Sequence, residues 1–211
     1  LAEIFYIIPK VMIPDIIEEF RKAFMYHYFM SIRGFVGFRK NGEIKGWYNH
    51  FDSYYEGLGN KVLEKYKKHN NEELKNFFNN ITLVKNDPED KYYDNHKIIF
   101  KKDWSISQPI ILQDGTEFLN DGIFCEYGYV FNLDSDTVEV YRGFFKIPQY
   151  KGQKGTKGYD GTMFYVNKVF EITRDNIGIA QEIFNNEGIL YNENVEYWEK
   201  EFINNKKGVC D

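Results

Sequence analysis

Ser31–Gly59, SIRGFVGFRKNGEIKGWYNHFDSYYEGLG, is the stretch on which the fold turns. Two strand-like runs, Gly34–Arg39 and Glu43–Asn49, flank Asn41-Gly42. Asn-Gly is the strongest short-range hairpin signal, because both central positions of a type I′ turn need positive φ and these two residues tolerate it. A second hairpin is expected over Ile123–Phe145, IFCEYGYVFNLDSDTVEVYRGFF, where aromatic and β-branched runs flank a polar turn. Met163–Ile172 reads as a further strand.

Helices fall between and around these strands. Gly59–Lys68 places Val62, Leu63 and Tyr66 on one side, and Asn71–Ile81, capped by asparagine, repeats Leu74, Phe77, Phe78 and Ile81 at helical spacing. Ile13–Phe29, with Pro14 in its first turn, Ile179–Asn185 and Val195–Asn204 also read as helices. Ile98–Phe100 and Ile110–Leu112 are weak strand candidates, Gly115–Asp121 is a short helix or turn, and Gln149–Gly161 is an exposed glycine- and lysine-rich loop. Strands paired in hairpins, with helices segregated between them, predict an α+β fold: an antiparallel sheet of two hairpins plus an added strand, with helices packed on it. A parallel βαβ architecture is not expected. Residues 1–29 read as a helical extension and residues 30–211 as one α+β domain.

The bulk numbers narrow the function classes. A chain of 211 residues is long enough to bury a full core without staples. Net charge is −5, so no global basic footprint points to nucleic acid, and only a local patch is left open. Aromatic residues make up 18% of the chain; core filling explains them better than a stacking surface. Cys125 and Cys210 are the only cysteines and form neither a disulfide framework nor a zinc motif. With no secretory leader and no long apolar run, a cytoplasmic protein with no membrane span is expected.

Several constellations carry chemistry. His50-x-Asp52 would share a face of a strand, and Asp94-x-His96 offers a second imidazole–carboxylate pair, a ligand set suited to a transition metal. Chance supplies about one such pair in a chain with four histidines and 32 acidic residues, so a metal-dependent hydrolase is an alternative only. Asp52-Ser53 reads best as a helix N-terminal signal or a turn before Gly57–Lys68, since Ser53 and its neighbours on a strand would point to opposite faces and form no local triad. Asn132-x-Asp134-x-Asp136 opens like a calcium loop, but its sixth and twelfth positions are Thr137 and Gly143, so a hairpin turn is expected. Gly152, Gly155 and Gly158 with their lysines match no phosphate-binding motif feeding a helix. Arg33, Glu126 and Arg142 interrupt apolar strands; converging with His50 and Asp52 they would form the best polar cluster of the chain.

Arg33-Gly34-x-x-Gly37-Phe38, Tyr48-Asn49-His50-x-Asp52-Ser53-Tyr54, Gly57-Leu58-Gly59, Phe124-Cys125-Glu126 and Glu139-Val140-Tyr141-Arg142-Gly143-Phe144 together resemble a family of uncharacterised bacterial and phage proteins. The resemblance spans about residues 30–172 and implies no activity. Tyr55 stands where that family has proline, and Ile32 where it has threonine. The element order after Met30 is also similar to a reduced N-terminal-nucleophile hydrolase, which implies Ser31 as the attacking residue once everything before it is removed. The leading expectation is a domain binding a small molecule or protein partner through Arg33, His50, Asp52, Ser53, Glu126 and Arg142, with no cofactor. An amidohydrolase using Ser31 is the first alternative, and a metal site of His50, Asp52, Asp94 and His96 the second.

Overall fold

The computed structural model describes residues 32–85, 91–92, 95–101 and 107–185. Strands β1 (Gly34–Lys40) and β2 (Glu43–Asn49) form the first hairpin around Asn41 and Gly42, whose φ values of 51° and 78° are those a type I′ turn demands. A single π-type turn (Tyr55–Gly59) leads into α1 (Asn60–Lys68), then α2 (Asn71–Asn80) and β3 (Ile81–Val84). A short α3 (His96–Ile99), β4 (Ile110–Gln113) and a 3₁₀ turn (Thr116–Asn120) precede the second hairpin, β5 (Tyr127–Asn132) and β6 (Thr137–Phe145). The chain continues through β7 (Thr156–Lys157), β8 (Met163–Ile172) and α4 (Ile177–Asn185).

The main sheet has the order β2-β1-β5-β6-β8-β7, and β3 and β4 form a separate two-stranded sheet. It is an α+β fold with a mostly antiparallel sheet. Two pairings depart from expectation: β1 and β5 run parallel, with Gly34 opposite Tyr127, and so do β3 and β4. Each hairpin brings an edge that can be extended in either direction, and nothing local encodes which. The main core lies on the sheet face carrying Val36, Phe38, Trp47, Tyr127, Tyr129, Phe131 and Val140, covered by Leu58, Val62, Leu63, Tyr66, Leu74, Phe77 and Phe184. Burying one such large side chain fully contributes about 1.5–3 kcal/mol. The aromatic excess is spent largely here: Phe38 stacks on Phe131 at 4.6 Å and Tyr55 on Phe184 at 4.6 Å.

The asparagine cap of α2 is Asn70, which exchanges bonds with Glu73 in a capping box, and the helix ends at Asn80 because Ile81 turns extended to enter β3. Lys45 closes the other end of α2 by donating to the carbonyls of Phe78 and Ile81 at 3.1 and 2.9 Å. Residues 98–99, expected as strand, belong to α3. The segments 13–29 and 195–204 and Cys210 lie outside the described residues. No helix among the described residues is long and apolar enough to cross a membrane.

Candidate functional site

The parallel pairing of β1 with β5 has a consequence for the charged residues. It brings the starts of both strands, and the end of β2, to one end of the sheet. Gly34 faces Asn49 on one side and Tyr127 on the other, and Tyr127 faces Arg142. Arg33, His50 and Glu126 each lie one residue beyond the paired ends of β1, β2 and β5 at this end of the sheet. The Arg33 amide donates to Glu126 Oε1 at 3.3 Å, and the Gly143 amide to the Glu126 carbonyl at 3.2 Å.

Arg33 and Arg142 use different aromatic ledges. The Arg33 guanidinium lies 5.0 Å from the ring centre of Phe124, which is 49% exposed. Arg142 is buried, with its guanidinium 3.8 Å from the Tyr127 ring centre and 5.7 Å from that of Tyr55. Arg33 and Glu126 are therefore half-buried at the sheet end, whereas Arg142 underlies it.

His50 lies beyond the end of β2, so it and Asp52 do not share a strand face. Its Nδ1 meets the Tyr48 hydroxyl, and its ring stands edge-to-face with Phe51 at 4.1 Å. Phe51 is 54% exposed. Asp52 is exposed and takes a positive φ of 54°, which turns its carbonyl to accept from the Leu58 amide at 2.7 Å. A Cβ on Gly57 would come within 2.3 Å of that same carbonyl, so the tight turn requires glycine there.

Of the two roles expected of Asp52 and Ser53, the structure shows the turn and not a side-chain helix cap. Tyr54 is the N-cap of the π-type turn and makes no side-chain cap bond. Ser53 is fully buried: its Oγ accepts from Asn49 Nδ2 at 2.7 Å, its amide donates to the Ile32 carbonyl at 3.2 Å, and its carbonyl accepts from the Tyr129 hydroxyl at 3.0 Å. Ser53 thus buttresses the turn that carries His50 and Phe51, and its hydroxyl is shielded from any substrate. Cys125 is equally inert: it is fully buried, and burial pushes its thiol well above the ordinary range, which disfavours the nucleophilic thiolate.

Ser31, Asp94 and the side chain of His96 lie outside the described residues. Among the described residues no group of three His, Cys, Asp or Glu side chains is placed to hold a metal ion. The Asn132–Asp136 segment is a hairpin turn: Asn132 Oδ1 accepts from the amides of Asp134 and Ser135, and Asp134 accepts from the Asn41 amide, joining the two hairpin tips.

Two polar clusters escape sequence reading. On the sheet face opposite the helices, Glu139 is buried and accepts from Arg39 at 3.1 Å, Tyr141 at 2.8 Å and Asn132 at 3.1 Å. Burial, with Glu139 beside it, pushes the Tyr141 phenol far above its usual range. The second is an open cleft of about 550 Å³ between α1 and α2, lined by Lys67, Lys68, His69, Asn71, Asp136 and Arg174. Arg174 there is committed to Asp136 at 3.0 Å and to the Tyr66 carbonyl, and Lys67 to Gln181 at 2.9 Å. These groups bind the fold together rather than await a ligand. No protein-family model, no curated protein and no solved structure matches the chain.

Proposed function

We propose that the sheet end formed by the starts of β1 and β5 is a ligand-binding face, and that the chain is a non-covalent binding domain. Its ligand is a small molecule, or the end of a peptide, that carries a carboxylate beside an aromatic or apolar group. The observation that carries this reading is the pairing of exposed aromatics with nitrogen bases: Phe124 beneath Arg33, and Phe51 against His50. Large exposed apolar rings beside a guanidinium form an amphipathic surface of the kind that recognises such groups. Ser53 and Cys125, the hydroxyl and the thiol next to this face, are both buried, which supports a non-covalent role for it.

Calorimetry with phenylacetate and its uncharged amide tests the proposal. Phenylacetate is expected to bind more tightly than phenylacetamide, and Arg33→Gln to remove the difference. A charge-assisted hydrogen bond contributes about 1.5–3 kcal/mol, so the loss is roughly 10- to 150-fold. Equal binding of acid and amide, or full binding by Arg33→Gln, overturns it.

A further inference from the structure

The segment between β6 and β8 carries a second surface, at the sheet edge opposite β2. Residues 146–161, KIPQYKGQKGTKGYDG, hold four lysines against one aspartate in a chain whose net charge is −5. The segment is strapped down by its small polar side chains. Gln149 Oε1 accepts from the Lys168 amide at 2.9 Å, and Gln153 Nε2 donates to the Val166 carbonyl at 2.7 Å, so both glutamines extend the bonding of β8. Gln153 also accepts from the Gln149 amide at 2.6 Å. Thr156 donates to Asp121 and accepts from the Gly122 amide, both at 3.1 Å. Thr156 and Lys157 then pair with Phe164 and Met163, and Gly155 lies so close to the Phe164 carbonyl that a Cβ would stand 2.7 Å from it.

With the inward positions used for anchoring, the outward positions are Lys146, Tyr150, Lys151, Lys154, Lys157 and Tyr159, all exposed, with Ile147 and Asp160 exposed among them. Tyr150 is 62% exposed and the Tyr159 side chain is fully in solvent. Lys154 reaches only a distant surface contact with Glu117, at 3.7 Å with both side chains largely exposed.

We infer that this basic, tyrosine-flanked ribbon is a binding site for single-stranded nucleic acid. Lysine ammonium groups neutralise phosphates, and free tyrosine faces stack on unpaired bases, which every base offers and a closed duplex withholds. The anchoring glutamines hold the ribbon in place before binding, which lowers the ordering cost. The charge is local, which is how a chain of negative net charge can carry such a site.

The test is fluorescence anisotropy of the full chain with a labelled oligothymidylate of about 15 nucleotides. Binding is expected to weaken about 20-fold between about 50 and 200 mM salt, the slope for three neutralised phosphates on a single strand. The triple variant Lys151→Gln/Lys154→Gln/Lys157→Gln is expected to lose at least tenfold in affinity and most of the salt slope. Tyr150→Ala/Tyr159→Ala is expected to lose at least tenfold while keeping the slope. These side chains are exposed, and backbone amide shifts confined to residues 146–161 on titration give a readout independent of the variants. No binding at low salt, equal binding of the matching duplex, undiminished binding by either variant, or capture by anionic lipid vesicles in preference to the oligonucleotide overturns the inference.

Discussion

Gly34→Ala tests how the sheet end is built. An added Cβ would stand 2.6 Å from Ser53 Cβ, 2.6 Å from the Tyr127 carbonyl oxygen and 2.8 Å from Ser53 Oγ. Ordinary contacts between such atoms lie near 3.5–4.0 Å, so the overlap is about 1 Å on two sides. The Tyr127 carbonyl belongs to β5 and is held by the parallel pairing, so the yielding partner is the Ser53 turn. Moving it strains the bonds from Ser53 to Ile32, from Asn49 to Ser53 and from Tyr129 to Ser53. Overpacking costs about 1–3 kcal/mol and a lost hydrogen bond about 1 kcal/mol, which puts the variant about 2–4 kcal/mol below the parent. At about 2–4 °C per kcal/mol for a domain of this size, Tm falls by roughly 4–16 °C. Urea unfolding followed by far-ultraviolet circular dichroism measures it, with Gly178→Ala as the control. Gly178 lies in the first turn of α4 with nothing within 4 Å of an added Cβ, so alanine there is expected to stabilise by about 0.5–1 kcal/mol. A Gly34→Ala protein within about 0.5 kcal/mol of the parent would refute the packing described at this sheet end.

Glu139→Gln keeps the shape of the buried cluster but removes the charge that Arg39 and Tyr141 address, and is expected to cost about 1–3 kcal/mol in urea unfolding. Arg174→Lys loses the two-nitrogen contact with Asp136 and the stacking 3.7 Å from the Tyr66 ring centre; with the pair one-third exposed, a loss of about 1–2 kcal/mol is expected by the same measurement. Burial holds His69 below the ordinary histidine range, against the pull of Glu73 and with Lys65 and Lys68 nearby. The unfolded chain therefore takes up a proton near pH 6.5 that the folded state refuses, so this contribution to stability is full above the unfolded pKa and is lost as pH falls through the folded one. Between about pH 7.5 and pH 5 the parent is expected to lose more unfolding free energy than His69→Gln, and equal losses would count against a buried neutral imidazole.

Local signals were legible and long-range pairing was not. Asn41-Gly42 marks its hairpin because only a few residues tolerate two successive positive φ values, and Asn70 with Glu73 marks the start of α2 by a bond pattern confined to four residues. The parallel union of β1 with β5 joins residues 93 positions apart, as from Arg33 to Glu126, and no local pattern encodes it. Residues 98–99 are apolar and β-branched, yet they complete a short helix because Ile99 fills the main core from that geometry. At the candidate site, Arg33, Glu126 and His50 could be picked out as charged or titratable interruptions of apolar runs. Phe51 and Phe124 could not, since nothing in the sequence distinguishes them from the aromatics that fill the core. The lysine- and glycine-rich segment read as a plain exposed loop because the bonds that fix it run from Gln149 and Gln153 to the backbone of a strand not yet formed in sequence order.

The most direct test of the binding face is a two-dimensional NMR titration of the isotope-labelled protein with phenylacetate. The account predicts saturable shifts at the amides of Arg33, His50, Phe51, Phe124 and Glu126, absent in Arg33→Gln. Shifts gathered instead at Lys67, Lys68, Asn71 and Arg174, or no saturable shift at all, would contradict it.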